Sequence, residues 1–357
     1  MNASERMHGM QRGVGLIEVM ISIIIGMLLV LVIYQVYEVS ESQKRTITAG
    51  SDAQQNAGYG LYALGRDLSM AGNGIASSAS ALDKCAILRP IPFVIKAGAT
   101  PNDPDEITVL YGGSSSLSTS VPFQNSATTA QPYAVRAPVG FSPNDVIAAV
   151  QRPPGTQCTV STINAAAGSV VVNAGLATLT HTPVPGSIPT AYVAGDSLVN
   201  LGKAGSLGRV VYSVDTTTHT LRTQNQLPTL GPVNPVISEV VNLKAQYGLD
   251  IANNGVITWQ DATGAWDYAV VTAPPPPGAG PLLATLQQIR AVRIAIVTRS
   301  AQCDLDPVTH QCMVLTRGPL KMFDDTVSWT LNANEQIYRY KVLETIVPIR
   351  NALWNAP

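Results

Sequence analysis

Charge is what this sequence has least of. Only 13% of its 357 residues are Asp, Glu, Lys or Arg, about half the usual globular share. The 22 basic and 23 acidic residues leave a formal net charge of −1. With no basic excess and no Lys/Arg stripe, the electrostatic footprint of a nucleic-acid binder is missing. Signatures of chemistry are absent too: there is no CxxC, no GxSxG, no HExxH and no Gly-rich loop ending in GK[ST]. LGKAGSLG, residues 201 to 208, echoes a phosphate loop, but the order of Lys and Ser is wrong, so it reads as a turn. The four histidines, His8, His181, His219 and His310, are scattered. The expectation is a chain with no catalytic residues, no cofactor and no resident metal.

Proline is absent from a particular place. None occurs before Pro90, and all 25 follow from there. The proline-free part can therefore continue as helix, whereas the remainder is cut by turns. Ser, Thr, Gly, Pro and Ala occupy the positions that charge leaves vacant, a composition that suits a β-rich domain outside the cytoplasm. Four cysteines, Cys85, Cys158, Cys303 and Cys312, fit two disulfides in an oxidising compartment. Three pairings are open. Cys303 and Cys312 are near enough in sequence to staple one loop, which would leave Cys85 with Cys158; free buried thiols are the alternative.

What is present is grease at the amino terminus. Val19 to Tyr37 runs 19 residues with no formal charge, about 28 Å as a helix and enough to cross a hydrocarbon core. A removed signal peptide would be shorter and would end in a small-residue cleavage site; YQVYEVSES follows instead. A plain signal anchor explains the span and the leading Arg6 and Arg12. It does not explain Glu18, which stands at the head of the run, where a carboxylate costs roughly 2.5–3.5 kcal/mol on insertion scales.

This segment, RGVGLIEVMISII, resembles the type IV prepilin leader. The resemblance implies cleavage after Gly13, a new and methylated amino terminus at Val14, and Glu18 as fifth residue of the mature chain. Val14 stands where Phe is usual and Gly15 where Ser or Thr is usual. The resemblance also implies that Glu18 meets the terminal amine of a neighbouring subunit, so that two costly charges satisfy each other only in the correct register. The alternative is that Glu18 snorkels to the interface.

Beyond the membrane-type run, Ile47, Ala53, Ala57, Leu61, Leu64 and Leu68 recur at steps of three and four or their sums, an apolar stripe for packing on a sheet. Gly50, Gly58, Gly60 and Gly65 weaken this helix, and Gly72 and Gly74 are candidate stops. A helix from Val14 to Met70 would be roughly 85 Å long. QQNAGYGLYALGRDLSMAG is similar to the segment that follows the helix in PilW-type minor pilins, matched at Arg66, Asp67, Leu68, Met70, Ala71 and Gly72. Arg66 and Asp67, being adjacent, are expected to point apart, each bonding something in the globular domain or remaining solvated. VVNLKAQYGLD (residues 240 to 250), VRIAIVTRS and YRYKVLETIVPIRN resemble the same family.

Short β runs fill the rest: EITVLY, VIAAVQ, SVVVNA, RVVYSVD, VITWQ, RAVRIAIVTRS, TVSWTL and IYRYKVLETIVPI. Asn253, Asn254 and Gly255 read as a hairpin turn, and APPPPGAGP, residues 273 to 281, as a surface loop. The acidic stretches at Asn102 to Glu106 and Asp250 to Asn254 have no EF-hand spacing and read as solvated turns rather than calcium sites.

The expected fold is α+β and type IV pilin-like: a long amino-terminal helix, transmembrane in its first half, packed on an antiparallel β-sheet domain. The segments are a leader at 1–13, a transmembrane helix at 14–37, its amphipathic continuation at 38–72 and a β-rich periplasmic domain at 73–357, with residues of about 80–235 a variable middle or a second small sheet. The resemblance implies a minor pilin that helps start type IV pilus assembly near the filament tip. Its partners would be other minor pilins, the major pilin, the prepilin peptidase/methyltransferase and the inner-membrane assembly platform. The alternatives are a minor pseudopilin of type II secretion and a membrane-tethered periplasmic binding protein.

Overall fold

The structure is a computed structural model that describes residues 15–75, 82, 85, 88–112, 120–137, 139–153, 158–185, 187, 190–273, 285–306, 309 and 311–353. The chain divides into two units, Met1–Ser51 and Asp52–Pro357. One helix, α1 (Leu16–Ser69), contributes to both.

In the first unit, α1 carries an 18-residue window of mean hydropathy 3.0, none of it buried. Large apolar side chains from Leu16 to Val39 are exposed all round the helix, which marks a helix that takes its apolar environment from outside its own chain. Length and composition suffice to cross a membrane.

In the second unit, the end of α1 turns one face inward. Ala53, Ala57, Leu64 and Leu68 are buried, with Leu61 packed beside them. The expected stripe thus begins at Ala53; Ile47 belongs to the first unit and is 72% exposed. This face meets two antiparallel sheets. The first is built, in spatial order, from β1 (Phe93–Lys96), β2 (Glu106–Tyr111), β3 (Gly208–Asp215), β4 (Thr220–Asn225) and β5 (Val233–Ser238). The second comprises β6 (Val240–Leu249), β7 (Thr258–Gln260), β8 (Ile289–Arg299) and β9 (Tyr340–Pro348), in the order β7-β6-β8-β9. The helix, both sheets and a short helix α2 (Tyr268–Thr272) share one core that includes Leu64, Leu68, Phe93, Val109, Leu221, Tyr247, Ile294 and Ile296. Gly60 is where helix and sheets come closest. A Cβ there would lie 2.7 Å from Ile237 Cδ1 and 3.1 Å from Ile296 Cδ1, so this glycine, read from sequence only as a weak point, is what allows the approach.

Strand β6 is buried along its whole length and β8 along nearly all of it. Strand β6 is covered on both faces although it alternates, with Leu243, Ala245, Tyr247 and Leu249 on the main core and Asn242, Lys244 and Gln246 buried on the other side. On the face away from the main core, Val241, Ala295 and Val297 pack with Met322, Phe323, Trp329 and Leu331 from the hairpin Leu320–Met322 and Val327–Trp329 and its flank. The turn after β6 holds the expected Asn253 and Gly255 at φ of 51° and 81°, and Asp250 accepts the N–H groups of Asn254 and Gly255.

Between β2 and β3 the chain builds a separate lobe. Its five-stranded antiparallel sheet joins His181–Pro183, Cys158–Ile163, Asp145–Val150, Ser197–Lys203 and Val121–Pro122 in that order, with a three-stranded sheet of Tyr133–Val135, Leu176–Leu179 and Val170–Asn173 beside it. A second small sheet was one expectation for the middle of the chain. The lobe is narrower than residues 80–235, because 93–111 and 208–238 pair within the first sheet. A disulfide from Cys85 to Cys158 anchors the lobe, and a second joins Cys303 to Cys312.

Candidate functional site

Two places carry the residues singled out by sequence. The first is the head of α1. Glu18 occupies its first turn, and its backbone N–H donates to the Gly15 carbonyl at 2.9 Å. An acid suits the positive end of the helix dipole, and its side chain is exposed. Gly13 and Val14 lie outside the described residues, as do His8 and His310.

The second is the end of α1. Helix geometry stops at Ser69, and Gly72 takes φ +76° while its N–H donates to the Leu110 carbonyl at 2.8 Å. Glycine is the residue that pays no steric penalty in that left-handed conformation. Asn351, in the terminal helix α3 (Arg350–Leu353), donates Nδ2 to the carbonyl of Ala71 at 2.9 Å. Two stretches that resembled one family at opposite ends of the chain, RDLSMAG and IRN, therefore meet in space, the second capping orphan carbonyls left by the first.

Arg66 and Asp67 do not point apart. Arg66 donates Nε and Nη2 to Asp67 Oδ1, both at 3.0 Å. The Arg side chain is long enough to fold back along the helix; it is 61% exposed while the Asp side chain is 5% exposed. Asp67 points inward, and its Oδ2 accepts the Tyr212 hydroxyl at 2.7 Å. Burial, followed by the neighbouring Asp67 charge, pushes the Tyr212 phenol far above its usual range, so it stays a donor. Tyr212 was invisible in the sequence as a partner, because nothing in RVVYSVD ties it to a helix 145 positions away.

Sequence reasoning also missed an ion pair under the first sheet. Asp105, expected to sit in a solvated turn, is 5% exposed. Its Oδ1 accepts Lys244 Nζ at 3.0 Å and the Gly98 N–H, and Oδ2 accepts the Ala245 N–H at 3.0 Å. Lys244 also donates to the Asp103 carbonyl at 2.6 Å. Burial raises the Asp105 pKa, with Lys244 and the two N–H donors opposing it. Three positions further along β6, the Tyr247 hydroxyl accepts the Ile95 N–H at 2.7 Å, and its ring stacks on Phe93. Asn242, Lys244 and Tyr247 of VVNLKAQYGLD thus tie β6 to β1 and to the segment that leads into β2.

Among the described residues no group of three or more His, Cys, Asp or Glu side chains is placed to hold a metal ion. The first unit exposes apolar surface all round its helix, and in the second unit Asp67 with Tyr212, and Asn351 with Ala71, hold the end of α1 in place. Residues 210–351, from β3 to α3, match the family PilW, Type IV Pilus-assembly protein W. No curated protein matches the sequence. A solved structure that does match is a type IV-like pilin from Thermus thermophilus, 13% identical over 59% of this chain and 86% of that one. Its TM-score of 0.22 means that the two do not superpose globally.

Proposed function

We propose that the chain is a minor pilin that takes part in starting type IV pilus assembly, seated near the filament tip and without catalytic activity. The observation that carries this reading is the pairing of a PilW-family region at residues 210–351 with an exposed apolar helix that bears a single acid, Glu18, in its first turn. On this reading α1 first anchors the subunit in the inner membrane with the β-rich unit in the periplasm. A prepilin peptidase/methyltransferase then cuts after Gly13 and methylates Val14. The assembly platform passes the subunit on to the other minor pilins and the major pilin.

Glu18 acts as the register selector. An unpaired charge in an apolar bundle costs several kcal/mol, so a subunit docks stably only where its carboxylate reaches a neighbour's amine. Mass spectrometry of the purified protein tests the processing step: a chain starting at N-methylated Val14 is expected, and a functional chain that keeps its first thirteen residues overturns the proposal. Glu18→Ala is expected to leave membrane insertion intact and to reduce co-purification with the other minor pilins by at least about tenfold, the equivalent of 1.4 kcal/mol. Co-purification with secretion pseudopilins instead would assign the chain to a type II secretion filament.

A further inference from the structure

Beside the end of α1 lies an open cleft of about 400 Å³, bordered by the helix and by strands β2 to β5. It falls in the size range of small-molecule sites, roughly 300–1,000 Å³, but its walls are not those of an apolar pocket. Tyr59, Tyr62 and Arg66 line the helix side, with Asp67 beneath them, and Thr223 and Asn234 line the sheet side. Tyr59 and Tyr62 stand three residues apart, 58% and 67% exposed, so the helix presents two aromatic side chains on neighbouring positions of one face.

Three features narrow the ligand. Among the described residues the full charges of the wall are Arg66 and Asp67, which neutralise each other at 3.0 Å, so the cleft offers neither an anion nor a cation a net attraction. The remaining polar groups are hydroxyls, amides and a guanidinium still 61% exposed, a mixture of donors and acceptors that matches groups able to do both. The tyrosines supply broad apolar ring faces with a polar edge. A neutral ligand rich in hydroxyls, with a flat apolar C–H face, satisfies all three, and that is the chemistry of a pyranose sugar. A lipid or an apolar helix would strip water from the exposed Tyr59 and Tyr62 hydroxyls and from the exposed part of the Arg66 guanidinium.

We propose that this cleft binds a neutral saccharide, with a pyranose face on Tyr59 or Tyr62 and its hydroxyls bonded to Arg66, Thr223 and Asn234. The site is distinct from the Glu18 segment, so its failure and the failure of the assembly reading are separable. The test is saturation-transfer NMR on the full chain in a sugar-free detergent, with maltose, lactose and N,N′-diacetylchitobiose as probes. At about 10 mM, a site with a Kd near 1 mM is mostly filled. Transfer to the ring protons of at least one disaccharide is expected, and it should fall at least fivefold in Tyr59→Ala/Tyr62→Ala. Both side chains are exposed, so that variant should keep the parent melting temperature. Absence of transfer from all three sugars, or equal transfer in the folded double variant, overturns the proposal. So does a double variant that loses its pilin partners while the parent shows no sugar signal, since the cleft would then be a contact between subunits.

Discussion

Tyr212 donates its hydroxyl to Asp67 at 2.7 Å, and this bond sets the last turn of α1 against β3. The carboxylate is held from both sides, by Arg66 on Oδ1 and by Tyr212 on Oδ2. The two supports differ in exposure, and so should differ in worth. Tyr212→Phe leaves a buried acceptor short of a partner, which costs about 1–3 kcal/mol. Arg66→Ala removes a side chain that is 61% exposed, and solvent screening limits its loss to less than about 1 kcal/mol. Denaturant melts of the two variants should rank Tyr212→Phe as the less stable; the reverse order would show that the guanidinium, not the phenol, holds Asp67.

Lys244 and Asp105 form a pair of another kind, with both side chains nearly buried, at 9% and 7% exposure. Lys244→Met should cost about 3–5 kcal/mol at neutral pH, because it strands a carboxylate without its cation. Burial already raises Asp105 above its ordinary 3.8, and losing Lys244 raises it further. The folded state of the variant then binds a proton more readily than the unfolded chain. The deficit is therefore relieved as pH falls towards 3.8 and is fully present once pH exceeds the folded pKa. Urea melts of wild type and variant between pH 4 and 7 should converge at the acid end. A deficit independent of pH would mean that lost packing, rather than the stranded charge, dominates.

The two disulfides close loops of very different length, with sequence separations of 73 for Cys85–Cys158 and 9 for Cys303–Cys312. Chain-entropy arguments give about 4.4 kcal/mol for the longer loop and about 2.6 kcal/mol for the shorter. Replacing Cys85 and Cys158 by Ser should therefore lower stability more than replacing Cys303 and Cys312. The longer bridge also joins the segment after α1 to the lobe whose core includes Leu82, Leu88 and Val160. Its loss should increase hydrogen exchange in Asp145–Val150 and Cys158–Ile163 before it affects β6 and β8. Equal destabilisation by the two double variants would count against the loop-entropy account.

The helix and the eight quoted β runs were legible because period and composition carry them; the shorter strands of the lobe and β6, with its alternating polar residues, were not. The expected β runs at 106–111, 209–215 and 290–300 fall within a residue of β2, β3 and β8. The end of α1 was legible because Gly72 and Gly74 both adopt positive φ where a stop was expected. What the sequence concealed is pairing over distance. Asp67 with Tyr212, Asp105 with Lys244 and Asn351 with Ala71 each join elements more than a hundred positions apart, and local pattern is silent on such partners. The expectation that Arg66 and Asp67 diverge failed for a physical reason: spacing on a helix places Cα atoms, whereas a long arginine side chain can reach back over the helix surface. Gly60 was read only as a weak point of the helix, since its packing role shows only when Ile237 and Ile296 are seen against it.

His181 is a half-buried titratable group at the edge of the lobe's sheet. Its ring lies 3.8 Å from that of Tyr133, centroid to centroid, and Nε2 is 3.1 Å from the Gln131 carbonyl. That carbonyl can only accept, so Nε2 carries the proton in the neutral ring. Nδ1 is buried and meets no partner among the described residues. Burial holds the His181 pKa below its ordinary 6.5, with the Gln131 bond opposing. The unfolded chain therefore takes up this proton first as pH falls. The stabilisation is complete above 6.5 and is lost through the window below it, down to the folded pKa. His219 is shifted the same way, mainly by burial and then by Arg299, so the two histidines together should lower stability as pH falls below 6.5, whereas Asp105, shifted upward, acts in the opposite direction nearer 3.8. His181→Gln removes one share and should flatten the slope of stability against pH between about 5 and 6.5 without abolishing it. Titration of the His C2–H resonance checks the premise directly: a midpoint at or above 6.5 for His181 would remove it from this account and leave His219 to carry the effect.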